Sequence, residues 1–149
     1  ENAFPDAERV LIEATTVSYQ AKIFLNDLEQ GETFMKSSVC SNGTCDAPGL
    51  EMMSCRQNHI TYLDKHNNIL IRDGYFELMG NDADYLIGTY DGIALNKNQE
   101  MYSELKMTVE DGSGIYQGAK GNLSMVMNPG DQDGEYISEI SGVVFVPKQ

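Results

Sequence analysis

The chain has 149 residues, enough for one domain with a proper core, and carries 23 acidic against 10 basic side chains, for a net charge of −13 and a pI near 4.3. This balance argues against nucleic acid and anionic membranes as partners, and no apolar run approaches the ~20 residues of a membrane-spanning helix. Trp is absent while Tyr and Met each occur eight times, and a Met-rich interior is either adaptable packing or the lining of an apolar pocket.

The polar opening, residues 1–8, reads as a mobile lead-in, and a chain starting at Glu1 without Met reads as a mature or trimmed product. Residues 9–25 read as a long first strand, with Val17, Tyr19, Ala21, Ile23 and Leu25 alternating with Ser18, Gln20, Lys22 and Phe24. The same phase run backwards puts Leu11, Glu13 and Thr15 on the apolar face. A bulge between 13 and 17 would reverse it and expose Glu13. After a turn-rich connection at 26–32 comes a short second strand, 33–39, through Phe34 and Met35. The irregular stretch that follows holds Cys40, Cys45 and Cys55, with Asn42-Gly43 as a tight-turn signal. A disulfide from Cys40 to Cys45 across that turn is geometrically reasonable and leaves Cys55 free; the alternative is three reduced thiols. The disulfide favours a secreted or extracytoplasmic location over the cytoplasm.

Further strands are expected at 56–64, 69–79, 85–95, 101–110, 115–127 and 135–146, separated by polar turns. In the fifth, Gly88, Gly92 and Ala94 share a face with Tyr90, and small residues beside one ring suit a barrel taper. The sixth alternates Leu105, Met107 and Val109 against Glu104, Lys106 and Thr108. Glycines at 112, 114, 118 and 121 mark a sharp turn into a strand with Leu123, Met125 and Met127 on one face. This is not a phosphate loop, since it lacks both glycine patterns and leads into a strand. No segment carries a helical stripe, and all four prolines stand at edges or in loops. The pattern is all-β in a single domain, as a barrel or a two-sheet sandwich.

The segment DGSGIYQGAKGNLSM, residues 111–125, resembles the glycine-rich segment of the allene oxide cyclase barrel family. Dirigent proteins and the small bacterial barrels that catalyse spirotetronate Diels–Alder cyclisations share a similar segment. NILIRDGYFELMG at 68–80 and YLIGTYDGIAL at 85–95 resemble the strands before it, so the likeness covers roughly residues 56–146. The resemblance implies one closed eight-stranded antiparallel β-barrel, allene oxide cyclase-like and calycin-like, and a homo-oligomer, dimer or trimer. It also implies an isomerase or cyclase acting on a small apolar molecule in the lumen, with no cofactor. A carboxylate in the first strand would steer charge during ring closure, which points to Glu13 as the catalytic residue. Tyr19, Tyr75, Glu77, Tyr90 and Met125 are the expected ligand-binding residues. A non-catalytic carrier and a secreted structural or interaction barrel are the alternatives.

Other constellations carry less. The cysteine spacing and the two histidines make no zinc site. His66 reads as a solvated loop residue and His59 as a packed or rim residue of its strand. Asp131, Asp133 and Glu135 lack the full calcium-loop pattern and read as a solvated acidic turn.

Overall fold

The computed structural model describes residues 7–19, 34–63, 68–81, 83–97 and 100–148. These form eight strands: β1 (Ala7–Tyr19), β2 (Phe34–Cys45), β3 (Met52–Leu63), β4 (Ile69–Met79), β5 (Tyr85–Lys97), β6 (Glu100–Ser113), β7 (Lys120–Pro129) and β8 (Glu135–Pro147). They close into one antiparallel barrel in which each strand pairs with its chain neighbours and β8 returns to β1. Among the described residues the helical content is one 3-10 turn, Gly114–Tyr116. Closure removes the exposed edges of an open sheet, so each strand needs only an inner and an outer face. The cleanest alternation is in β6, where Met101, Ser103, Leu105, Met107 and Val109 are buried and the residues between them exposed.

One end of the barrel is stitched shut by the connections at 46–51, 80–84 and 114–119. Asn81 N–H donates to the Gly49 carbonyl at 2.7 Å, and Ile115 N–H to Asp84 Oδ1 at 3.0 Å. The Tyr116 hydroxyl donates to the Pro48 carbonyl. Asp111 Oδ1 accepts from Gly112 N–H at 2.8 Å and Gly118 N–H at 3.0 Å, and these bonds hold its carboxyl below the usual carboxylate range. Gly114 must be glycine. Its φ is +65°, and a Cβ there would meet Asp84 Oδ1 at 2.1 Å. Leu50, Tyr116 and Ala119 are fully buried beneath these loops.

Three expectations about the elements change. First, Asn42-Gly43 is not a turn: β2 runs straight through it to Cys45, pairing Asn42 with Ser54 and Gly43 with Met53. Cys40 and Cys45 therefore lie five residues apart on one extended strand. At about 3.3 Å per residue their Cα atoms are roughly 16 Å apart, far beyond the ~7 Å limit of a disulfide. Cys40 is exposed, Cys45 and Cys55 are buried, and all three are free thiols. With the disulfide goes the argument it supplied for an oxidising compartment. Second, the seventh strand begins at Lys120, because the glycine stretch before it makes the closing turn. Third, Ala7 and Glu8 belong to β1, paired with Pro147 and Val146. Residues 1–6, the expected first-strand positions 20–25, the connection at 26–32 and His66 lie outside the described residues.

Candidate functional site

The interior changes character along the barrel axis. Its closed half is apolar, lined by residues such as Ile12, Met53, Phe76, Leu78, Leu86, Val109 and Val144, all buried. Every buried polar side chain among the described residues lies at mid-height or toward the other end: Thr16, Ser18, Ser41, Gln57, Thr61, Ser103 and Ser138. None of them is ionisable, and every described Lys and Arg is exposed.

At mid-height this polar half has a focus. His59 Nδ1 on β3 and the Tyr90 hydroxyl on β5 are hydrogen-bonded at 2.6 Å, with the rings edge to face at 5.7 Å between centroids. β4 lies between these two strands, so the contact needs β4 to leave room. It does so through a bulge. The β3–β4 register shifts between Asn58 and Ile60, and the β4–β5 register between Ile71 and Gly74. Asp73 sits at the shift with φ +53°, a left-handed conformation that Asp tolerates better than most residues. The extra residue moves the inward phase from Ile69 and Ile71 to Gly74, Phe76 and Leu78. Gly74 then faces the ring of Tyr90, where a Cβ would meet ring carbons at 2.6 Å. A glycine behind a bulge thus lets Tyr90 reach across a whole strand to His59.

Burial governs the chemistry of the pair. Desolvation lowers the His59 pKa to about 4, so the imidazole is neutral at pH 7. Desolvation also raises the Tyr90 pKa above the ordinary phenol value, a shift that a hydrogen bond with Gln57 opposes. The Cys55 thiol donates to Gln57 Oε1 at 3.7 Å, and burial pushes its pKa up to about 12, so it is not a nucleophile at neutral pH. The result is a neutral string of donors and acceptors set in an apolar wall that includes Phe76, 6.5 Å from Tyr90 between centroids, and Met107, its register neighbour.

The expected site residues divide between the two faces. Tyr90 and Met125 are buried and inward, 4% and 1% exposed. Glu13, Tyr19, Tyr75 and Glu77 all lie on the outward phase. β1 turns Ile12, Ala14, Thr16 and Ser18 inward, so Leu11 and Tyr19 are 55% and 69% exposed and Glu13 is exposed with them. Glu13 lines an outer depression of about 390 Å³ shared with Asp46 and Glu139. The Tyr19 hydroxyl donates to Glu135 Oε2 at 3.2 Å on the rim. Glu135 Oε1 accepts from Asp131 N–H at 3.0 Å, so this acidic turn is held by its own hydrogen bonds. On β4 the bulge sets the phase that turns Tyr75 and Glu77 outward. A larger outer depression of about 540 Å³ lies over β5, β6 and β7, with Ile93 and Val126 exposed in it.

The sequence reading missed Gln57, the reach of Tyr90 to His59, and the hydroxyls of Thr16, Ser18 and Ser41. Two signals could have found them. Arg72-Asp73-Gly74 inside an apolar strand is bulge chemistry, and hydroxyl residues alternating with apolar ones in β1 allow the opposite phase.

No protein-family model matches the chain, and no curated protein matches it in sequence. Among solved structures, the barrel is similar to the pterocarpan synthase dirigent protein GePTS1, with a TM-score of 0.53 and 11% identity over 99% of this chain and 93% of that one. The chain therefore has a dirigent-like fold, a closed eight-stranded antiparallel barrel. No helix among the described residues is long and apolar enough to cross a membrane.

Proposed function

We propose that the barrel interior binds a small, largely apolar organic molecule, holding its body against the Phe76, Met107 and Met125 wall and one polar group at the His59–Tyr90 pair. The observation that carries this reading is the 2.6 Å contact inside the barrel, made possible by a glycine behind a bulge. A polar pair in an apolar wall costs free energy unless it is fully hydrogen-bonded, and it is a common way to orient a ligand in an apolar pocket. The similarity to a dirigent protein supports a barrel that holds and directs a small molecule.

The pair is better suited to orienting than to moving protons. A base of pKa about 4 is weak at neutral pH, and a phenol above its ordinary pKa is a weak acid. Isomerase or cyclase activity in this barrel would come from holding one reactive conformer away from water. Of the residues first considered for the wall, Tyr90 and Met125 carry the reading.

Titration with the solvatochromic ketone Prodan tests it. Saturable binding with a blue-shifted emission is expected, and Tyr90→Phe should weaken it about five- to tenfold, the value of one hydrogen bond. Ile93→Lys, in the outer depression, should leave it unchanged. Absence of saturable binding to the wild type, or binding abolished by Ile93→Lys and indifferent to Tyr90→Phe, refutes the lumenal site.

A further inference from the structure

We infer that the hydroxyls of Thr16, Ser18 and Ser41 form a second polar subsite, which takes an uncharged hydroxyl or carbonyl group at the far end of the ligand bound by the His59–Tyr90 pair. The inference rests on the lumenal reading above but stands on different residues. Thr16, Ser18 and Ser41 are 0%, 2% and 1% exposed; the oxygens of Thr16 and Ser18 have no hydrogen-bond partner among the described residues, and that of Ser41 meets only the Cys55 thiol, a weak partner. Buried hydroxyls are normally satisfied, so two orphans and a third hydroxyl with only a thiol beside it, in one region of one barrel, call for a partner that the described residues do not supply. Valine in place of Thr16 and alanine in place of the serines would keep the packing without that cost.

The register keeps the three together. Thr16 pairs with Gly43 on β2 and with Ser138 on β8. Among the described residues the last β1–β2 rung is one step on, between Val17 and Asn42, and Ser18 and Ser41 are the next residues beyond it. Ser41 stands opposite Cys55, whose thiol donates to Gln57 while the Ser41 hydroxyl beside the sulfur opposes the upward push of burial on its pKa. From Cys55 to His59 is four residues of β3, about 13 Å of strand at ~3.3 Å per residue. Along β3, Ser41's partner and His59 are thus separated by about the length of a ten-carbon chain, with Thr16 and Ser18 beyond β2 on β1.

Charge sets the chemical class. No buried described residue is ionised, and no described cation points inward. A carboxylate or ammonium entering this space would find no counter-ion, and burying an unpaired charge is prohibitive. Hydroxyls both donate and accept, so they serve an alcohol or a carbonyl equally well.

The test is displacement of Prodan by 1,10-decanediol, 1-decanol and decanoate, in the wild type and in Thr16→Val/Ser18→Ala/Ser41→Ala. The diol should compete at least as well as the more apolar decanol in the wild type, and decanoate much more weakly. The triple variant should lose about tenfold in diol affinity, leave decanol unchanged, and melt no lower than the wild type. A lower melting temperature with unchanged diol affinity would show that the hydroxyls are bonded within the protein, and would overturn the subsite. Decanoate competing as well as decanol would overturn the uncharged class. Prodan binding that the diol does not displace would refute the subsite while leaving the lumenal site intact. No Prodan binding at all would remove both.

Discussion

His59 makes the stability of the barrel depend on pH in a calculable way. Its folded pKa is about 4 against an ordinary 6.5, the shift being caused by burial. The unfolded chain therefore binds the proton first as pH falls. Its contribution is fully present above the unfolded pKa and is lost as pH falls through the window from 6.5 to about 4. The two pKa values are about 2.5 apart, and each pKa step is worth about 1.4 kcal/mol, so the loss approaches ~3 kcal/mol. Set against a total of roughly 5–15 kcal/mol for a domain, that is a large share.

His59→Gln removes the titration and keeps a hydrogen-bonding side chain. Urea unfolding of both proteins from about pH 7 to pH 4 reads the effect, and carboxylates common to the two cancel in the difference. At neutral pH the wild type should be the more stable by about 1 kcal/mol, the value of the Tyr90 hydrogen bond. Near pH 4 the order should reverse by about 2 kcal/mol. Parallel curves across the whole range would mean that His59 takes up its proton freely in the folded state. Water would then reach it, and the neutral pole of the proposed site would fall with that result.

Gly74→Ala should cost about 1–3 kcal/mol, because the new Cβ would meet the Tyr90 carbonyl oxygen at 2.5 Å and its ring at 2.6 Å. It should also weaken Prodan binding by moving Tyr90 off His59; full stability with full binding would contradict the packing described. Native alkylation with iodoacetamide should modify Cys40 alone, and Cys45 and Cys55 only after unfolding. A Cys40–Cys45 peptide in an unreduced digest would refute the straight course of β2. Glu13→Gln, on the outer face, should change stability by less than ~0.5 kcal/mol and leave Prodan binding unaltered. A clear loss of binding would place the influence of that carboxylate inside the barrel.

Much of the fold was legible because alternation and turn chemistry agree over most of the chain. Strands β3 to β6 and β8 stand within a few residues of their expected places. Periodicity alone left barrel and sandwich open; the resemblance of 111–125 favoured the barrel that the structure shows. Tyr90 was legible as an inward ring because Gly88, Gly92 and Ala94 flank it. Its partner was not, since the contact with His59 spans an intervening strand and depends on a bulge whose only sequence trace is Arg72-Asp73-Gly74. That bulge shifts the phase of β4 by one residue, and in a strand with bulky residues on both faces, alternation cannot reveal such a shift. Asn42-Gly43 misled for another reason. Turn propensity is a local preference, and pairing on both sides overrode it, with Gly43 joined to Thr16 on β1 and to Met53 on β3.

The inversion of β1 is the error with the most physical content. Reading apolar residues as inward put Leu11 and Tyr19 on the lumenal face and left Glu13 open, inward on the same phase or turned out by a bulge. The strand does the reverse, leaving Leu11 and Tyr19 largely in water and burying Thr16 and Ser18. Hydrophobic sorting alone would slip β1 by one residue and turn every side chain over. What prevents the slip is the ladder with β8, which engages every residue from Ala7 to Tyr19; among the described residues β2 adds rungs from Ala14 to Val17. With register fixed by so long a ladder, the inward positions of β1 are released from having to be apolar. Hydroxyls can then stand in the interior at a cost in stability that the rest of the barrel absorbs. The orphan oxygens fall at Thr16 and Ser18 on that strand, and the Ser41 hydroxyl on the neighbouring β2 has only the Cys55 thiol beside it. A barrel built only for stability would fill those positions with valine and alanine; keeping hydroxyls there is consistent with an interior that something polar enters.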